Sequence, residues 1–383
     1  MATLQSASGL DQASRQGRGL LGGRKGAVVP GLWVWMVGIT AWIAFLGAAA
    51  HSAPVGAIAQ DNPAASPTPP QVSRQPTSQD LWTHWPDPPP SALVVLPLVD
   101  QSGLGGSLNY EIRESSGRLI QALLTLGGRP ATCPDAESLY AALSRRGYSF
   151  DFMEPLDAAE LAALGRDLHT DTILQVVIRR VGAEIQAIAT AADAKTGREI
   201  GTWKAQIPGN APTYEALFDA QTQLAPLVAA GLLGLENPEA LCKGQDVNAK
   251  NDKTRSAANA LAAQARTQLM PPPSYPRILR ALRLAQAAVE KDPHCEDAWA
   301  ALSFGFRQLE IKMEESESPL MREAALRSYV AGEIAWFLAP ETPQSHLARG
   351  WGKVATGRFA QAHRQAKEAL KKDPENWGAR IIR

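Results

Sequence analysis

Twenty consecutive positions from Gly31 to Ala50, GLWVWMVGITAWIAFLGAAA, carry no charge. At about 1.5 Å per residue a helix of that length reaches roughly 30 Å, the thickness of a hydrocarbon core, so the run predicts a transmembrane helix or signal anchor over 31–50. A signal-peptide apolar core is shorter, roughly 7 to 15 residues, which favours a retained anchor. The alternative is export followed by cleavage near Ala59, because Ala57-Ile58-Ala59 ahead of Gln60 forms a small-x-small site.

Farther along, the pattern changes period. Leu93-Val-Val-Leu-Pro-Leu98 is a short apolar run bounded by prolines and by Gln101-Ser-Gly103, as a buried strand requires. Leu108, Ile112, Leu119, Ile120, Leu123 and Leu126 fall on one helical face that stops at Gly127-Gly128. Asp157 is placed to cap a helix through Leu168, with Glu160 at its positive end. Thr172-Ile-Leu-Gln-Val-Val-Ile178 reads as a central strand. Ile185, Ala187 and Ala189 then alternate with polar residues, as do Trp203, Ala205 and Ile207, so three strands follow as an antiparallel meander. Asp193-Ala-Lys-Thr-Gly197 is the turn between the last two, with Gly197 supplying a positive φ. A helix from about Tyr214 to Leu233 closes the unit, and Pro226 is expected to kink or interrupt it. From Ser256 the chain becomes alanine-rich and helical.

This reading divides the chain into a short tail over 1–30, the span over 31–50, a linker over 51–90, an α/β domain over 91–243 and a helical repeat domain over 251–383. The fold class is α+β, an α/β sandwich with a mixed, largely antiparallel sheet, followed by an all-α repeat part and preceded by one transmembrane helix. Composition refines the ends. Arg15, Arg18, Arg24 and Lys25 against Asp11 precede the span and Asp61, Asp80 and Asp87 against Arg74 follow it, which places the tail in the cytoplasm and the bulk of the chain on the extracytoplasmic, periplasmic side of the inner membrane. The tail lacks any periodic apolar pattern and is too polar to bury a core. Ten prolines in 51–90 make a semi-rigid spacer. No Cys precedes Cys133, so no thiol is offered for lipidation at the membrane exit.

Formal charges cancel, 38 Lys and Arg against 38 Asp and Glu. Residues 51–250 hold 14 basic and 22 acidic side chains and residues 251–383 hold 20 and 15, modest opposite signs that solvated helix faces explain. No basic run interleaved with aromatics points to nucleic acid. Three cysteines, Cys133, Cys242 and Cys295, are too scattered for a disulfide framework or a zinc site, although an oxidising compartment permits a Cys133–Cys242 bridge.

Leu93 to Leu98, Leu164-Gly-Arg-Asp-Leu-His-Thr-Asp171 leading into a strand, and Asp193-Ala-Lys-Thr-Gly197 followed by Trp203 resemble the TolB amino-terminal-type domain, an envelope-associated α/β module. Downstream, Ala281, Ala288, Asp292, Pro293, Trp299, Leu302 and Phe306 put small residues where paired helices touch and Pro where a helix ends. Gly350, Gly357, Phe359, Ala362, Ala369, Asp373 and Pro374 repeat that grammar, and Leu338-Ala-Pro340 ends a helix between them. This is similar to the tetratricopeptide repeat, with an insertion expected around Glu314 to Pro319. Trp377 and Ile381-Ile382 begin a further helix that either caps the stack or belongs to a longer chain. The combination resembles the extracytoplasmic half of some bacterial signalling proteins. With only a polar tail before the span, no output activity carries over.

Candidate chemistry is sparse. Gly103-Leu-Gly105-Gly106 between a strand and a helix is a candidate ligand loop, but it lacks the spacing of a nucleotide fingerprint and no Lys-Ser/Thr follows. The six histidines show no paired metal spacing, and Ser115-Ser116 sits in no nucleophile elbow. Trp299, Phe306, Trp336 and Trp351 are candidate partner-binding aromatics whose helical spacing equally suits a core. No set of base, nucleophile and orienter assembles, so the chain reads as no enzyme, with no catalytic residue, metal or cofactor assigned. The function expected is a membrane-anchored scaffold binding a protein or peptide partner through helical repeats. The alternative is an envelope sensor or enzyme-accessory protein with a small ligand in the α/β domain near Gly103 to Gly106.

Overall fold

The computed structural model of the protein describes residues 93–103, 110–129, 136–149, 154–208, 213–242, 250–270, 273–313 and 319–383. The expected span over 31–50, the tail and spacer around it, Cys133, Gly105 and Gly106 lie outside these. Among the described residues no helix is long and apolar enough to cross a membrane.

The architecture is α+β with one mixed sheet and a largely helical C-terminal part. Pro97, which has no N–H to offer a ladder, splits the expected first strand into β1 (Leu93–Val95) and β2 (Val99–Gln101). Both pair in parallel with β3 (Thr172–Val181). β3, β4 (Glu184–Asp193) and β5 (Glu199–Pro208) form the expected antiparallel meander. One sheet face, with Leu174, Val176, Ile185 and Ala187, packs against α1 (Tyr110–Leu126) and α4 (Tyr214–Leu232). The other, with Val94, Val99 and Ile173, receives α2 (Ala136–Arg145) and α3 (Ala158–Leu168). α4 continues through Pro226 rather than stopping there.

Two local devices fix the join between α3 and the sheet. Asp157 and Glu160 form a reciprocal capping box at the start of α3. At its end His169 adopts a left-handed φ of 50°. In the hairpin turn, Asp193 accepts hydrogen bonds from the Lys195 and Thr196 amides at 3.1 and 2.8 Å and from the Thr196 hydroxyl at 2.8 Å. Gly197 follows with φ +70°, and any Cβ there would lie 1.8 Å from the Ala158 carbonyl oxygen. The D-x-x-T-G motif is thus a turn tucked against the start of α3, and glycine is demanded twice over, by conformation and by space.

The remaining helices are α5 (Lys250–Gln268), α6 (Tyr275–Lys291), α7 (Glu296–Met313), α8 (Pro319–Leu338), α9 (Pro343–Ala355), α10 (Phe359–Lys372) and α11 (Trp377–Ile382). Each packs on the next, and the alternate helices α5, α7, α9 and α11 also touch in succession. Small residues set the closest approaches: a Cβ on Gly332 would lie 2.5 Å from the Ala348 carbonyl oxygen, and one on Gly352 2.7 Å from the Tyr329 Cα. Between them the Ser303 hydroxyl lies 2.9 Å from the carbonyl oxygens of both Ser328 and Ala348, its one proton shared between the two acceptors. Trp299 Nε1 donates to the Pro293 carbonyl at 2.8 Å, tying α7 to the Asp-Pro turn before it.

The two parts share one apolar core, and the described residues from 93 to 383 fall in a single compact unit. α1 and α4 lie against α8. Phe218 on α4 meets Tyr329 on α8 edge to face with ring centroids 5.1 Å apart, and the Thr222 and Tyr329 hydroxyls are 2.7 Å apart.

Candidate functional site

A charged layer lies beside that seam. Glu333 on α8 is buried, with Oε2 accepting from Arg349 Nε at 2.9 Å and Oε1 standing 3.4 Å from Lys353 Nζ. Lys353 donates to Gln361 Oε1 at 2.8 Å, and Gln361 Nε2 reaches across to Asp219 on α4 at 3.1 Å. Arg358, 1% exposed, lays its guanidinium over Phe218 and Tyr329, 4.1 and 4.6 Å from the ring centroids, and its Nε donates to Thr356 Oγ1 at 3.0 Å. Such stacking offsets part of the cost of burying a cation. Burial alone would raise the Glu333 carboxyl, but Arg349, Lys353 and Arg358 outweigh it and hold the pKa below the usual range. Burial and the two neighbouring arginines, against the pull of Glu333, bring the Lys353 ammonium down to about 8. Both shifts have the causes of a structural ion cluster, in which Arg349 and Lys353 answer Glu333 while Arg358 rests on two aromatic rings.

Outward of this layer a cleft of about 470 Å³ opens between α1, α4, α8 and α9. Its apolar lining is Leu119, Leu123, Pro226, Ile334, Trp336 and Phe337, and its polar lining is Asp219, Thr222, Gln223, Glu333 and Arg349. The Arg349 guanidinium lies 3.8 Å from the Trp336 ring centroid, so the same side chain braces Glu333 and one wall of the cleft.

A second cleft, about 420 Å³, lies where α5, α7 and α9 meet. Arg255, Asn259 and Arg266 reach it from α5, Glu296 and Asp297 from the start of α7 and Gln344 from the start of α9. Arg266 pairs with Asp297 at 2.6 Å, and the Thr342 hydroxyl donates to Glu296 Oε1 at 2.6 Å. Burial raises the Glu296 carboxyl above its usual range despite that hydrogen bond. The lining is polar and comes from three alternate helices, so this is a surface for hydrogen-bonded contact rather than an apolar pocket.

The residues singled out from sequence fall in different places. Trp299, Phe306 and Trp351 are buried at 2, 4 and 6% exposure, inside the helical packing. Trp336 is partly open and lines the seam cleft. Gly103 is exposed at the end of β2 with φ +77°, and a Cβ added there would meet no atom within 4 Å. Sequence reasoning missed the charged layer, because Glu333, Arg349, Lys353 and Arg358 read one by one as ordinary surface charges. The signal available was that Glu333 interrupts an otherwise apolar run in α8, Ala331-Gly-Glu-Ile-Ala-Trp-Phe337.

No protein-family model and no curated protein matches this chain. Among solved structures, the chain is similar to the LpoB C-terminal domain from Salmonella enterica, 16% identical over 34% of this chain and 90% of that one, with a TM-score of 0.26. It is also similar to lipoprotein GNA1162 from Neisseria meningitidis, 16% identical over 37% of this chain and 94% of that one at a TM-score of 0.24. For LpoB from Escherichia coli the figures are 16%, 41%, 95% and 0.25. These scores fall below those of proteins that share a whole fold.

Proposed function

We propose that the protein is a membrane-anchored, extracytoplasmic, non-catalytic scaffold that binds a protein or peptide partner along the face built by α5, α7 and α9. The observation that carries this reading is the placement of polar side chains from three alternate helices, Asn259, Asp297 and Gln344 among them, around one cleft of about 420 Å³. Stacked helix pairs offer an extended surface whose side chains are free to specify a ligand because packing is done by the other faces. The apolar run over 31–50 and the proline-rich spacer support tethering to the inner membrane with the folded part held away from it. The helical part is read as a tetratricopeptide-type stack and the sheet as a TolB amino-terminal-type module, on the residues quoted for each above.

The test is photo-crosslinking in cells with the full chain, a photoreactive residue replacing Asn259 or Gln344 in turn, and Thr202 on the sheet as control. The expected result is one shared protein adduct from the two helical positions and none from Thr202. Adducts equally abundant at Thr202, or none at either helical position, would overturn the reading.

A further inference from the structure

The seam cleft holds a chemical asymmetry that packing does not require. Pro226 and Thr222 both line it from α4, four residues apart. Because proline has no N–H, the Thr222 carbonyl has no donor at the position where the helix would supply one. On the same wall lies Asp219, whose Oδ2 accepts from Gln361 Nε2 at 3.1 Å. Opposite, Glu333 is 3% exposed, with Arg349 Nε 2.9 Å from Oε2 and Lys353 Nζ 3.4 Å from Oε1. The Thr222 carbonyl and the Asp219 carboxylate are therefore acceptors carried by the α4 wall of the cleft. Arg349, the cation among the lining residues, is turned to Glu333 and to the Trp336 ring.

Around those oxygens the walls are Leu119, Leu123, Ile334, Trp336 and Phe337. A volume of about 470 Å³ lies within the range of small-molecule sites, roughly 300 to 1,000 Å³, and sites of that kind favour the junction of two parts of a fold. We propose that the seam cleft binds a small, largely apolar molecule whose polar end donates hydrogen bonds, an aromatic or aliphatic amine. Its apolar body packs on the leucines, Trp336 and Phe337, and its N–H groups reach the Asp219 carboxylate and the Thr222 carbonyl. An acceptor-ended molecule of the same shape meets like oxygens instead and loses the pairing that makes polar burial tolerable. Because α1 and α4 form one wall and α8 and α9 the other, the ligand binds the joined state and stabilises it by mass action. This site is separate from the α5–α7–α9 face and stands or falls independently of partner binding there.

The experiment is calorimetric titration of the full chain, held in lipid nanodiscs so that no detergent competes, with 2-phenylethylamine and with phenylacetate. The amine should bind at least tenfold more tightly than the acid and raise the melting temperature. Trp336→Ala should lower amine affinity through the apolar wall. Pro226→Ala is the sharper variant, since it restores the helical N–H to Thr222 while easing the helix. It should keep or raise the melting temperature yet weaken the amine about fivefold, the loss of roughly one hydrogen bond. Equal binding of amine and acid, no binding of either at millimolar concentration, or unchanged amine affinity in Pro226→Ala would each overturn the proposal.

Discussion

The sheet-bearing part and the helical part bury different chemistry. Between the sheet and its helices lie aliphatic side chains, Val94, Leu164, Ile173, Val176 and Ile178 among them, and the polar groups enclosed with them include a hydroxyl and amide cluster of Ser115, Ser116 and Gln221. The helical part encloses a cluster of ions, Arg327, Glu333, Lys353 and Arg358, all at or below 5% exposure, where the described residues of the sheet part hold Arg113 alone at that level. An aliphatic core asks for volume and tolerates rearrangement. A buried charge asks for its counter-charge in place, and removing one partner strands the other. The second kind of layer therefore dictates one arrangement of α8, α9, α10 and α4, at the seam where Gln361 and Arg358 reach residues of the sheet part. The contrast sets the seam, with its enclosed ions, apart from the α5–α7–α9 face, where the Arg266–Asp297 pair lies nearer solvent.

The comparison breaks most visibly at Glu333. Glu333→Ala leaves buried Lys353 and half-buried Arg349 without their counter-charge, and an equilibrium urea titration should show a loss of about 3–5 kcal/mol. A cost near zero would mean that the ions are solvated and the contrast with the sheet core is empty. In the aliphatic layer Leu164→Ala, at a site with no exposure, should cost about 2–5 kcal/mol by lost burial and a cavity, with a value toward the low end if α3 settles inward. pH separates the layers next. The folded Lys353 pKa lies near 8, below its ordinary value of 10.5, so the unfolded chain binds more protons between those values. Its contribution therefore makes stability rise as pH climbs through that window. Glu333 works at the other end: its pKa is depressed, so its contribution is present above the usual carboxylate range and is lost as acid protonates it. Denaturant midpoints measured against pH for the protein and for Lys353→Met should differ in slope between about pH 8 and 10.5, whereas Leu164→Ala should run parallel to the parent. The smallest effect belongs to Asp157→Ala, which removes one side of the capping box on α3 and should cost about 1 kcal/mol by thermal or urea unfolding.

How much of this is legible in the sequence follows from the range of the forces involved. The capping box, the meander and the D-x-x-T-G turn are readable because each is set by residues within a few positions of one another. The Asp-Pro helix ends are readable for the same reason, although what Trp299 does there, donating to the Pro293 carbonyl, is not. Pro97 splitting the first strand and α4 continuing through Pro226 depart from expectation in opposite directions. At the first, a ladder needs the missing N–H; at the second, helix packing against the sheet and α8 outweighs a local cost of about 3 kcal/mol. The α2 helix is missing from the reading even though Leu139, Ala142 and Leu143 share one buried face at helical spacing. The seam is illegible because Asp219, Glu333, Lys353, Arg358 and Gln361 are drawn together from segments far apart in the chain. Of the aromatic candidates, Trp336 lines the seam cleft, while Trp299, Phe306 and Trp351 follow the core alternative that helical spacing leaves open.

The central claim is that sheet part and helical part are one body fastened by the charged layer, and native-state hydrogen exchange with increasing denaturant measures it directly. The amides of α4, of α8 and of the buried part of β3 should open with a common free energy and a common denaturant dependence, as one cooperative unit. Release of α4 and the sheet at denaturant well below that which opens α8 would contradict the claim and leave the two parts merely adjacent.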